Sequence, residues 1–251
     1  MKKGFTLAEV LITLGVIGVV AALTLPNLLQ NHQKKVFVTQ LQRTVNLVSN
    51  SATALMGDNN AASLADSYLV AVNNDYKNAQ GKFMNTYFKV ARDCGMDNRA
   101  ACLGDTYYSL DRSQSFDLNS SSYLGGTSGN SWDFYCVTIN TGATVCMTQM
   151  HPDYTWSYTD KDGTTHTLRD HGSASVVVDV NGPSGPNTNG RDLFQFDLYS
   201  DGRIGNSYSD GDKNHYEAQV SGSYCQDRKS EKGYGGSCFQ HIMANGWVMD
   251  Y

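Results

Sequence analysis

One carboxylate stands where an apolar run should have none. Glu9 lies near the start of an almost unbroken apolar stretch, Phe5 to Leu25, which follows Lys2, Lys3 and Gly4. A charged side chain in a bilayer-length segment costs roughly 2.5–3.5 kcal/mol at its centre and less near its ends. A chain that keeps an acid there needs a partner or a use for it. A second oxygen-rich set lies in the loop Asp179-Val180-Asn181-Gly182-Pro183-Ser184-Gly185-Pro186-Asn187-Thr188-Asn189-Gly190-Arg191-Asp192. Calcium, a hard cation, takes carboxylate and amide oxygens, which Asp179, Asn181, Asn187 and Asp192 supply. The loop is not an EF-hand, because its twelfth position is Gly190 and not Glu. Its plainer reading is a turn-rich connection held by Asx side-chain hydrogen bonds. Asp160-Lys161-Asp162-Gly163 and Asp201-Gly202 also look like calcium fragments, but Asp-Gly is first of all a hairpin-turn signal.

The remaining reactive residue types are either paired or scattered. Cys94, Cys102, Cys136, Cys146, Cys225 and Cys238 all follow residue 90, and none shows CxxC spacing. An even count outside a membrane anchor reads as disulfides made in an oxidising compartment. Six cysteines allow fifteen pairings. The local choice joins Cys94 to Cys102, Cys136 to Cys146 and Cys225 to Cys238. His32, His151, His166, His171, His215 and His241 include no pair at the four-residue spacing of a helical zinc site. There is no P-loop, no Gly-x-Ser-x-Gly and no dinucleotide fingerprint, so an enzymatic role has no sequence support.

The elements that must position these groups begin with the apolar run. It admits three readings: a secretory signal cut after Ala22, a plain anchor spanning Val10 to Leu29, or a processed helix that keeps Glu9. Past Pro26 the pattern turns amphipathic. Phe37, Leu41, Val45, Val48, Ala52 and Leu55 recur at helical spacing, so this half should pack on a head domain. Helical signal resumes directly after Pro26, which should kink the helix rather than end it. Gly57-Asp58-Asn59-Asn60 breaks it. Leu64, Tyr68, Val72 and Tyr76, then Phe83, Tyr87 and Val90, predict one or two short helices reaching the Cys94 region. From about residue 104 short strands follow between Gly, Asn, Asp and Ser clusters. The clearest hairpin joins 134–139 to 143–147 through Asn140-Thr141-Gly142, a loop length that sets Cys136 opposite Cys146. Opposed β-carbons ~4.5–5.5 Å apart leave a bond possible with local twist. Further strands are predicted at Ser175 to Val180, Leu193 to Tyr199 and Gln240 to Met249, and Trp247 is expected in the core. Helix first and antiparallel sheet afterwards is an α+β order.

The segment Lys2-Lys3-Gly4-Phe5-Thr6-Leu7-Ala8-Glu9 resembles the processing site of type IV pilins and type II secretion pseudopilins. The resemblance is specific over residues 1–40 and only architectural beyond. It implies a leader at 1–4 cut by prepilin peptidase between Gly4 and Phe5, with Phe5 becoming the N-methylated first residue. It further implies a transmembrane half-helix at 5–26, an amphipathic half at 27–56 and an extracytoplasmic head at 57–251. Independent geometry agrees with that cut. The new amine of Phe5 would lie one helical turn from Glu9. Phe5 to Leu25, 21 residues at ~1.5 Å each, would span roughly 31 Å, a bilayer core. In the family the acid pairs with the terminal amine of a neighbouring subunit and sets the axial register. The loop at 179–192 likewise resembles one recurrent in pseudopilin-like proteins; some major pseudopilins bind calcium in a carboxy-terminal loop, whose ligands do not map onto these residues. The end of the chain, Cys238 to Tyr251 with Gly246-Trp247, resembles the closing segment of many pilin-like proteins.

These readings predict a structural subunit of a type IV pilus or a type II secretion pseudopilus. Its partners would be itself, other pilins or pseudopilins, prepilin peptidase, the assembly platform and its ATPase, and the membrane. It would sit single-pass in the inner membrane, Lys2 and Lys3 on the cytoplasmic side and the head in the periplasm or outside. Two alternatives remain: an adhesin or DNA-uptake pilin whose head binds a ligand, and a membrane-tethered calcium-binding protein. The formal charge of −5, or −7 without Lys2 and Lys3, argues against nucleic-acid binding through net charge.

Overall fold

A computed structural model describes residues 4, 6–70, 76–124, 133–152, 154–159, 162–170, 172–205, 225 and 236–251. Phe5, Val72, Asp160, Lys161, His171 and His215 lie outside them. The chain divides into two compact units, Met1–Val36 and Phe37–Tyr251.

The first unit is helical. Helix α1 is assigned over Leu7–Asp58 and contains Pro26. Within this unit its apolar side chains are uncovered, Leu11 being 61% and Leu23 71% exposed. By length and hydropathy it can cross a membrane.

In the second unit the same helix has a buried stripe. Val38, Leu41, Val45, Val48, Ala52 and Leu55 are buried, at about 1.5–3 kcal/mol for each large side chain. Phe37 is only half-buried against this core, so the stripe starts one residue later than its pattern predicts. After α1 the described part of the period-four repeat, up to residue 70, is not a continuous helix. Leu64–Asp66 is a single 3-10 turn, and Leu64 is fixed from afar, its amide donating to the Ser200 carbonyl. Helix α2 covers Tyr76–Tyr87. Val90 belongs to strand β1, Val90–Gly95, and not to a helix running on to Cys94.

Strand structure thus begins before residue 104. Strands β2 (Tyr107–Tyr108) and β3 (Ser115–Phe116) form a small ladder, followed by the short helix α3, Ser121–Leu124. The hairpin of β4 (Tyr135–Ile139) and β5 (Thr144–Met147) sets Cys136 opposite Cys146. Strands β6 (Tyr154–Thr159) and β7 (Thr165–Asp170) form a separate ribbon. Strands β8 (Ser173–Asp179), β9 (Leu193–Tyr199) and β10 (Ile204–Gly205) complete the main sheet, in the order β1-β4-β5-β8-β9-β10. Its pairings are antiparallel throughout.

The central strands of this sheet are buried on both faces. Val176 and Val178 join the core that contains α1, while Val177 faces a second core with Tyr107, Phe116, Leu124, Cys136 and Cys146. Burial on both sides explains the unbroken apolar run of β8, since period-two alternation needs one wet face. Arg99, itself buried, anchors the second cover by donating to the carbonyls of Leu124 and Phe134.

The last predicted strand is a helix. Residues Gly236–Ala244 form α4, with the Phe239 ring tilted against Phe196 at 4.9 Å and Ile242 fully buried. Asn245-Gly246 ends this helix. Gly246 takes φ +65, and the Trp247 amide donates back to the Ile242 carbonyl at 2.8 Å, a left-handed helix stop. Trp247 is half-buried and meets Phe239 edge-on.

Candidate functional site

The amino-terminal site is built on the first turn of α1. Four backbone amides at a helix start lack intrahelical partners. Here Glu9 answers one of them: its Oε2 accepts from the Thr6 amide at 2.8 Å and from Thr6 Oγ1 at 2.9 Å. The Glu9 amide in turn donates to Thr6 Oγ1 at 3.3 Å. This reciprocal pairing is a capping box. Thr6 is thus a site residue that the sequence reading missed, although Thr-x-x-Glu before an apolar run is its signature. The carboxylate is held on its own helix, one turn from where Phe5 joins. Gly4 has no side chain and nothing near the place a β-carbon would occupy. Phe5 lies outside the described residues.

Three disulfides fix the head: Cys94–Cys102, Cys136–Cys146 and Cys225–Cys238. The first two border the second core, and the third sits beside the loop joining β8 to β9.

That loop brings its acidic residues together. Asp179 ends β8 and Asp192 immediately precedes β9, and both are essentially without solvent contact. Tyr107 donates its hydroxyl to Asp179 Oδ2 at 2.7 Å and receives the Gly104 amide. Asp192 accepts the amides of Asn187 and Thr188 at 2.7 and 2.6 Å, and the Asn181 side chain lies against it. Burial pushes the Asp179 carboxyl well above the usual range, and the charge of Asp192 pushes it further. Burial likewise pushes Asp192 up to about 6, against the lowering pull of the Thr188 and Asn187 amides.

The asparagines around this pair are oriented by their amide nitrogens. Asn181 donates to the Ser184 and Gly185 carbonyls, and Asn187 donates to the Thr106 carbonyl at 3.4 Å. Their oxygens are left over. Oδ1 of Asn181, of Asn187 and of Asn189 is buried with no hydrogen-bond partner among the described residues. A buried acceptor without a donor costs about 1–3 kcal/mol. Amide and carboxylate oxygens are the donor types a hard cation takes, but each carboxylate oxygen here already accepts a donor, Asp179 Oδ1 from the Asn181 amide at 3.3 Å and the other three from Tyr107, Thr188 and Asn187. No three His, Cys, Asp or Glu side chains converge among the described residues; the present set has two carboxylates and otherwise amides. Asn189 and Tyr107 were missed by the sequence reading, Tyr107 because it comes from a distant ladder. Asp201-Gly202 is the β9–β10 turn, with Gly202 at φ +84 and its amide on the Tyr199 carbonyl.

Comparison with curated proteins and with solved structures finds no match to the chain. Residues 1–25 match the prokaryotic N-terminal methylation motif, which is the prepilin signature of type IV pilins and pseudopilins.

Proposed function

We propose that the chain is a structural subunit of a type IV pilus or type II secretion pseudopilus, with no catalytic activity of its own. The observation that carries this reading is the methylation motif running straight into α1, whose apolar residues lie bare and whose first turn holds Glu9. Prepilin peptidase would hydrolyse the Gly4–Phe5 amide and free the Phe5 amine for methylation. The helix from Phe5 would then anchor the subunit once through the inner membrane, head outward, until the assembly platform and ATPase extract it. Pro26 lacks an amide hydrogen and would let the helix bend at the end of the span. Away from water, a carboxylate costs several kcal/mol unless an opposite charge meets it. A neighbouring subunit's terminal amine would supply that charge and reward a single axial register. Both bonds from Thr6 fall on Glu9 Oε2, which leaves Oε1 to meet that amine.

Mass spectrometry of the mature chain tests the processing. The expected amino terminus is Phe5 carrying one methyl group; a start at Leu23 would mean a cleaved secretory signal. Glu9→Ala should abolish filament assembly while leaving cleavage intact. Normal filaments from that variant would sink the register mechanism.

A second reading concerns the head, and the orphaned amide oxygens favour it. Calcium would be held by Asp179 and Asp192 with the side-chain oxygens of Asn181 and Asn187. When bound it would supply positive charge that cancels the burial cost of the two carboxyls and satisfies the amides. Calorimetric titration of the full chain in detergent micelles tests this, with Asp192→Asn expected to lose binding. Equal binding by that variant would remove Asp192 from the ligand set.

A further inference from the structure

The charges of α1 are unevenly placed. Between Glu9 and Asp58 the chain carries no acid, and its first cations after the apolar run are Lys34 and Lys35, with His32 close by. All three belong to the first unit, Met1–Val36, and lie on the helix that carries the bare apolar side chains. His32 and Lys35 are exposed and Lys34 is half-buried. Leu28 and Leu29, 66% and 58% exposed, are the last exposed leucines of this helix.

The helix rise sets the depth of these cations. Phe5 to Leu29 is 25 residues, roughly 37 Å at ~1.5 Å each, which fits a ~30 Å hydrocarbon core with tilt. Lys34 and Lys35 stand five and six residues beyond Leu29, ~7.5–9 Å further along the axis. The polar headgroup layer is ~5–7.5 Å thick on each side of the core. A lysine stem lies along apolar surface and keeps its ammonium at the polar boundary, so both ammonium groups come to the depth of the lipid phosphates. The two residues are about 100° apart around the helix, and lipids surround a lone span on every side. With no carboxylate on this stretch of helix, the phosphates are the counter-charge at that depth. Once Lys2 and Lys3 leave with the leader, this pair also holds the lysine charges nearest the span.

We propose that Lys34 and Lys35 form a collar that binds anionic phospholipid headgroups on the outer face of the inner membrane and sets the depth of the subunit before assembly. This rests on the membrane-anchored reading above. Extraction into a filament then has to break these contacts.

Native mass spectrometry of the full chain, released from zwitterionic micelles holding equal phosphatidylglycerol and phosphatidylcholine, tests the collar. The unaltered chain should retain phosphatidylglycerol in preference. Lys34→Gln/Lys35→Gln should lower that preference about five-fold per lysine removed. Lys2 and Lys3 are present in both chains, so the difference reads the collar alone. Lys89→Gln, on the exposed surface of the head, should leave the preference unchanged, and the head should melt at the same temperature in all three chains. An unchanged preference in the double variant would overturn the collar and leave the anchor standing; lost self-association with it would assign the lysines to acids of a second copy. Retention of neither lipid by the unaltered chain would overturn the anchor as well.

Discussion

Replacing Tyr107 by Phe removes one oxygen from the head and leaves its packing in place. The ring is fully buried and stacks on Phe116 at 6.0 Å, contacts that phenylalanine keeps. What is lost is the donor to Asp179 Oδ2 at 2.7 Å, on a carboxyl only 1% exposed. No water can replace that donor without opening the core. Hydrogen bonds to charged groups contribute about 1.5–3 kcal/mol, and a stranded buried acceptor keeps the whole desolvation cost. The Gly104 amide also loses its acceptor, but it is only partly buried and can be hydrated. The expected loss is therefore about 1.5–3 kcal/mol, at ~2–4 °C of melting temperature per kcal/mol for a domain of this size. Thermal unfolding of the full chain in micelles, followed by near-ultraviolet circular dichroism in EGTA, measures it with cations excluded. Tyr108→Phe is the control. Tyr108 is half-buried with Arg112 over its ring, and its hydroxyl removal should change stability by less than about 0.5 kcal/mol. A Tyr107→Phe loss no larger than the control would refute the claim that Asp179 is desolvated and dependent on this donor.

Two leucines of α1 should behave oppositely. Leu41→Ala empties a fully buried site and should cost the head about 2–5 kcal/mol, whereas Leu11→Ala, exposed in the first unit, should leave head melting unchanged. Gly190→Ala meets both a left-handed backbone, φ +77, and the Cys238 sulfur. The backbone alone should cost about 1–3 kcal/mol, read as a lowered melting temperature with faster exchange in residues 236–251. Acid should loosen that segment as well. The His241 side chain lies 2.7 Å from Asp250 and holds its carboxyl below the usual range. Stability from this pair is present above the ordinary aspartate range and lost as pH falls through the lowered value. Exchange of 236–251 measured across that acid range should show the loss, and His241→Ala should flatten it.

Much of the scaffold is local and was legible for that reason. The α1 stripe is set by the 3.6-residue turn, the hairpin register by its loop length, and the methylation motif by local residue types over residues 1–25. Even the Thr6–Glu9 cap was within reach of the sequence. The misread elements are those whose neighbours are far away. Residues 240–249 hold aromatic and aliphatic side chains at spacings that suit helix or strand, and Asn245-Gly246 stops either one. The contact of Phe239 with Phe196 accompanies the helical choice. Leu64 continues a helical period but is drawn into the core by the Ser200 carbonyl. The same division runs through the loop at 179–192. Its composition alone named oxygen donors in a turn-rich segment, and from that an Asx-bonded loop and a cation seat look alike. Only the tertiary structure decides which oxygens find donors. Tyr107 reaches Asp179 across 72 positions of sequence, local amides fill Asp192, and three asparagine oxygens find no donor among the described residues. Burial and hydrogen-bond satisfaction belong to the whole fold, and a residue's own type and spacing do not carry them.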